Sequence, residues 1–165
     1  MGWLFYPSYG SPKGVVEHME KQCRDVGWKV LKHAFTCYGR RAWIALEKDG
    51  KSFILLLMID KHDGWWGYKD IEESAGPYQH DCPLSLLDMT TGDDHEYAVK
   101  WREGVRLYHE TRRKRQEASK AVKVGDKVTV YGKAYQIIEK IKRSFVGIQE
   151  ATGRRYRITS LQIGT

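Results

Sequence analysis

Five carboxylates, Asp60, Asp63, Asp70, Glu72 and Glu73, follow closely on the apolar run 53–59. Carboxylates gathered at the end of a strand are the residue type that holds Mg²⁺ beside a scissile phosphate. A metal-dependent nuclease usually faces such an Asp with Glu-x-Lys on the next strand, whereas Glu47-Lys48 has no intervening residue. His62, His80 and Cys82, with Cys37 or His95 as a fourth, are zinc-ligand types. The pair His80-Asp81-Cys82 has an unusual ligand spacing, however, and an ordinary loop accounts for it. Cys82 as a nucleophile would need a base, and Pro83 beside it would put the thiol at a helix N-terminus, where the dipole lowers a thiol pKa. A buried structural cysteine is the simpler reading. Neither GxxxxGK[ST] nor GxGxxG occurs, which argues against nucleotide hydrolysis. We therefore assign no catalytic residue, no metal ligand and no cofactor, and expect a non-enzyme.

Trp65 and Trp66 are adjacent, so in extended backbone their side chains point to opposite sides and cannot share one core. With Tyr68, and flanked by Lys61, His62 and Lys69, they are candidates for stacking on a base or anchoring a protein partner. The competing reading is that they fill gaps between a sheet and its loop.

Charge offers a different chemistry. The chain carries +7 overall, but residues 112–165 hold 14 Lys and Arg against 4 Asp and Glu, whereas residues 1–111 hold 14 against 17. A segment at +10 repels itself, and a polyanion relieves that repulsion while releasing condensed counterions. Arg112, Arg113, Lys114, Arg115, Lys127, Lys140, Lys142, Arg143, Arg154, Arg155 and Arg157 are the candidate nucleic-acid contacts. Ordinary solubilising charge, and compensation of a helix dipole by residues 112–115, are the alternatives.

The elements that position these residues are legible in part. A chain of 165 residues, 41% hydrophobic and 30% charged, can bury one medium core and a small second one. Ser11-Pro12 opens a helix carrying Val16, Met19 and Cys23, and Gly27 closes it. Asp49-Gly50 suits a tight hairpin between segments 41–48 and 51–60, within a group of two or three antiparallel strands. The run 53–59 does not alternate, so it reads as a central strand covered on both faces. Residues 61–82 read as a long ordered loop, with Pro83 starting a short helix. A second helix follows Asp93-Asp94, carries Tyr97, Trp101, Val105 and Tyr108, and ends in the basic run 112–115. Beyond it, segments 127–131, 134–141, 145–150 and 156–161 alternate with turn residues in the manner of a small antiparallel barrel. If Tyr156 and Ile158 point inward, Arg155 and Arg157 point out, to be joined by Lys127 and Thr129, and by Lys140, Lys142 and Arg143 from the neighbouring turn.

Val124-Gly125-Asp126-Lys127-Val128 and Gly153-Arg154-Arg155-Tyr156-Arg157 resemble segments of the small barrels related to Src-homology 3 and KOW modules, which bind DNA, RNA or peptides. Met1-Gly2-Trp3, Gly67-Tyr68-Lys69-Asp70-Ile71-Glu72-Glu73-Ser74-Ala75-Gly76-Pro77, Asp81-Cys82-Pro83 and Leu86-Leu87-Asp88 are a second set. Over residues 1 to about 115 they resemble an uncharacterised family of small intracellular proteins of bacteriophages, plasmids and integrative elements. That resemblance implies a context, a mobile element in a bacterial host, rather than an activity.

The sequence thus predicts an α+β protein: an α+β domain over 1–111, a basic helix end and linker over 112–121, and a small basic barrel over 122–165. The absence of a long apolar run or a basic leader points to the host cytoplasm and away from a membrane. The three cysteines suit free thiols rather than a disulfide framework. The expected function is a non-enzymatic nucleic-acid-binding accessory protein of a mobile element, with DNA or RNA as partner. The alternative is an inhibitor of the anti-CRISPR or anti-restriction type, which would block the nucleic-acid surface of a host protein or ribonucleoprotein.

Overall fold

The first strand, β1 (Leu4–Pro7), precedes a helix, α1 (Pro12–Asp25), whose two ends are closed by local chemistry. These belong to a computed structural model that describes residues 4–7, 11–60, 65–68, 73, 79–142 and 144–163. The Ser11 hydroxyl accepts the Gly14 N–H at 3.2 Å, and Pro12 follows it where a missing N–H costs nothing. At the other end Gly27 takes φ +88°, its N–H bonds to the Arg24 carbonyl at 3.0 Å, and the Trp28 N–H reaches the Cys23 carbonyl at 2.9 Å. This pair of bonds closes a helix on a left-handed residue, which glycine adopts without steric cost.

Strands β2 (Lys29–Thr36), β3 (Arg41–Lys48), β4 (Lys51–Asp60) and β5 (Trp65–Tyr68) join β1 in one antiparallel sheet of order β1-β5-β4-β3-β2. Asp49 and Gly50 take φ +52° and +77° between β3 and β4, the geometry of a two-residue hairpin turn whose twist matches the strands. β4 lies at the centre, as its unbroken apolar run requires. Phe53, Leu55, Leu57 and Ile59 pack with Val16, Met19 and Trp28 on the side of α1. Ile54 and Leu56 pack on the opposite face with Trp43, Leu86 and Trp101, which α2 (Leu84–Leu87) and α3 (Glu96–Ala121) help to supply. Each such fully buried side chain contributes roughly 1.5–3 kcal/mol, so two cores sharing one strand fix its position.

Three local expectations change. Residues 61–82 are not loop throughout, because Trp65–Tyr68 pair with both β4 and β1. Pro83 caps α2 rather than opening it. The basic run 112–115 lies inside α3, which continues to Ala121, so residues 112–121 are helix and not a linker.

The chain divides into two compact units, Met1–Tyr108 and His109–Thr165. In the second, β6 (Lys127–Val130), β7 (Lys133–Ile141), β8 (Ser144–Gln149) and β9 (Arg155–Thr159) form an antiparallel meander in chain order. Val122, Val130, Tyr135, Ile137, Phe145, Ile158 and Ile163 make its core. Among the described residues β6 and β9 do not pair, so the strands form an open sheet rather than a closed barrel. Helices with two antiparallel sheets make the fold α+β. Among the described residues no helix is long and apolar enough to cross a membrane.

Candidate functional site

Of the five carboxylates, Asp63, Asp70 and Glu72 lie outside the described residues. Glu73 is 1% exposed and serves the fold. Among the described residues β5 pairs with β4 along residues 57–60, and no described strand neighbours the earlier half of that β4 edge. Side chains take its place: the Ser52 N–H donates to the Thr91 hydroxyl at 3.1 Å, and the Ile54 N–H donates to the Glu73 carboxylate. Arg102 of α3 completes the arrangement. Its guanidinium donates to both Glu73 oxygens at 2.8 and 2.9 Å, to the Thr90 hydroxyl at 2.8 Å, and to the Leu87 and Thr90 carbonyls at 3.2 and 3.1 Å. Burial pushes the Glu73 carboxyl above its ordinary range, against the pull of Arg102 and the Ile54 N–H. Nothing in the sequence pattern flagged this pair, because a lone Arg at a helical core position looks like surface.

Two of the three thiols are buried. Cys82 is fully buried, and desolvation raises its pKa, the reverse of the activation expected at a helix N-terminus. Cys23 is buried too, and its thiol is pushed up to about 11. Cys37 is exposed. His62 lies outside the described residues, and among those described no three His, Cys, Asp or Glu side chains gather where a metal ion could be held.

The aromatic candidates separate as adjacent strand residues must. Trp66 is fully buried, stacked on Tyr6 at 4.8 Å between ring centres and edge-on to His18 at 6.0 Å. It has no surface with which to touch a partner, a correction to its place among the contact residues. Trp65 and Tyr68 are half-buried, and Tyr68 stacks on Tyr6 at 6.1 Å.

The basic candidates fall into three groups. Arg113 and Lys114 are exposed on α3, paired with Glu117 and Glu110 at 3.9 and 2.7 Å, beside Arg112 and Arg115. The second group lies on the outer face of the meander. The ladder sets Lys127, Gln136, Ile148 and Arg155 in one row across all four strands, and Glu139, Val146 and Arg157 in the next. Arg155 and Arg157 are exposed while Ile158 is buried, so β9 has the facing read from its alternation. Tyr156 stays 39% exposed, edge-on to Tyr135. Lys127 is bound to Glu150 at 2.7 Å, and Arg154 is exposed beside the turn.

Lys140 does not join that face. A bulge between Ile137 and Glu139 shifts the register by one, which sets Lys140 opposite Phe145 on the core side. Its ammonium lies 5.4 Å from the Phe145 ring centre and donates to the Lys120 and Val122 carbonyls at 3.3 and 3.0 Å, where α3 ends. Arg143 lies outside the described residues.

The third group surrounds a cleft of about 380 Å³. α3 contributes Gln116, Ser119 and Lys120, the sheet contributes Lys140 and Phe145, the turn after β7 contributes Lys142, and Ser160 follows β9. Among the described residues no carboxylate lines it. Gln116 and Lys120 are four residues apart on α3, and Arg112 extends the same row. Lys120, Ser119, Gln116 and Ser160 were absent from the sequence candidates, since only the fold brings them against the end of β7.

No protein-family model matches the chain, and searches of curated proteins and solved structures found none similar to it. Fold and site alone define the class: a two-unit α+β protein with a basic meander beside a helix end.

Proposed function

We propose that the protein is a non-enzymatic nucleic-acid-binding accessory protein, of the mobile-element kind that its N-terminal residues resemble, and that the second unit carries the affinity. The observation that supports this reading most directly is the cleft, bordered by Lys120 and Lys142 and lined by no carboxylate among the described residues, in a segment with 14 Lys and Arg against 4 Asp and Glu. Exposed arginines on β9 and on α3 add attraction for a polyanion. Among the described residues no side-chain set suggests base readout, which favours sequence-tolerant, electrostatic binding. The test is filter binding of the full chain to DNA and to RNA across a salt series. With four to six phosphate contacts the log–log slope for duplex DNA is roughly −4 to −5. A flat line removes the proposal.

A further inference from the structure

We propose that the cleft of the second unit is a phosphomonoester site, taking a phosphate at the end of a nucleic-acid strand or on a mononucleotide. The inference rests on the nucleic-acid reading only for the source of that phosphate. A phosphodiester carries one charge, whereas a phosphomonoester near neutral pH carries about 1.5 to 2 and offers three acceptor oxygens. The cleft suits the second. Lys120 and Lys142 bring ammonium charge, and Ser160 and Gln116 bring polar groups that can donate. The Ser119 hydroxyl donates its proton to the Gln116 carbonyl at 2.8 Å, so it lines the cleft without being one of the donors.

The end of a helix is the wrong pole for an anion, because its last carbonyls point outward with partial negative charge. Lys140 removes the objection. Its ammonium bonds the Lys120 and Val122 carbonyls and so covers that pole where the cleft meets it. The same ammonium sits over the Phe145 ring, so the ring is an apolar wall rather than a platform for a base. Recognition is therefore of phosphate and not of base. A volume of about 380 Å³ is in the range of small-ligand pockets, roughly 300–1,000 Å³, and holds a terminal group that a rigid duplex side could offer only at its rim.

The experiment uses the full chain and 15-nucleotide thymidine strands labelled at the 3′ end, with a 5′-phosphate or a 5′-hydroxyl, read by anisotropy at moderate salt. Calorimetry with thymidine 5′-monophosphate, thymidine and inorganic phosphate runs beside it. The phosphorylated strand binds about tenfold tighter, as loss of charge-assisted hydrogen bonds implies, and the monophosphate binds while thymidine does not. The double variant Lys120→Ala/Lys142→Ala abolishes both differences with an unchanged melting temperature. Equal affinity for the two strands, with no heat from monophosphate or phosphate, overturns the cleft assignment. If those strands still bind with a steep salt slope, the nucleic-acid reading survives it. Monophosphate bound by the cleft with neither strand bound supports the site and overturns the nucleic-acid reading instead.

Discussion

Glu73 and Arg102, 29 residues apart, form a bidentate ion pair in which both side chains are buried, at 2.8 and 2.9 Å. The carboxylate stands where a strand neighbour would otherwise bind the edge of β4, and the guanidinium ties it to α3. Breaking a buried pair costs about 3–5 kcal/mol, since the remaining charge is left without compensation.

Arg102→Met therefore lowers stability at neutral pH by about that amount in a denaturant melt. Glu73 is already raised from 4.5 by burial, and removing Arg102 takes away its main opposing influence. A carboxyl whose folded pKa is raised gives its stabilisation fully below the unfolded pKa and loses it as pH rises through the folded value. The deficit of the variant is consequently smallest below pH 4.5 and grows toward neutrality. A deficit independent of pH would show that the pair is not ionised in the native protein.

This pair also marks what the sequence could carry. The Ser11 cap, the Gly27 stop, the Asp49-Gly50 turn and the two-sided burial of β4 all follow from residues adjacent in the chain, and each is where the pattern put it. β5 was hidden because four residues ending Trp-Gly-Tyr show no period, and its strand character comes from pairing with β1 and β4. The length of α3 was hidden because residues 112–121 have no apolar stripe, so their helix could not be told from a charged linker. Tyr97 and Tyr108, counted with its inner face, are 62% and 37% exposed, and Ala98 and Arg102 are buried instead. The cleft needed the β7 bulge, which sends Lys140 to the face opposite the one simple alternation assigned.

Thiol chemistry checks the burial of the first unit. Cys37 is exposed, whereas Cys23 and Cys82 are 1% and 0% exposed with thiol pKa values raised by desolvation. One equivalent of a disulfide-exchange reagent reacts quickly with the native protein, and the other two react only on unfolding. The thiol form of Cys23 is favoured by the fold, so its contribution is complete below pH 9 and is lost as pH rises through about 11. Rapid reaction of two or three thiols at neutral pH would contradict the packing around α1 and α2.

Lys140→Met keeps the length and apolar stem of the side chain but removes the ammonium that bonds the carbonyls at the end of α3. The loss combines hydrogen bonds, helix-pole charge and the contact with Phe145, about 1–2 kcal/mol in all. A midpoint shift in denaturant measures it. A variant as stable as the parent would show that Lys140 does not hold that helix end.

The outer face of the meander gives the last test. Arg155 and Arg157 lie opposite Ile148 and Val146 in the ladder, away from the core that Ile158 enters. Their charges are exposed, and the one described side-chain bond is from Arg157 to the Ser144 hydroxyl at 3.3 Å. Exposed charges contribute little, so Arg155→Ala/Arg157→Ala leaves stability within about 1 kcal/mol. If these arginines meet phosphates, the double variant weakens binding about tenfold and makes the salt slope shallower by roughly two. If the cleft holds a terminal phosphate, the double variant leaves a preference for a 5′-phosphate intact, because Lys120 and Lys142 line the cleft and Arg155 and Arg157 do not. Melting, salt-series binding and strand-end preference measured on one preparation separate the two surfaces. Unchanged affinity removes the outer face from the interface, and a lost end preference shows that the arginines and the cleft act as a single site.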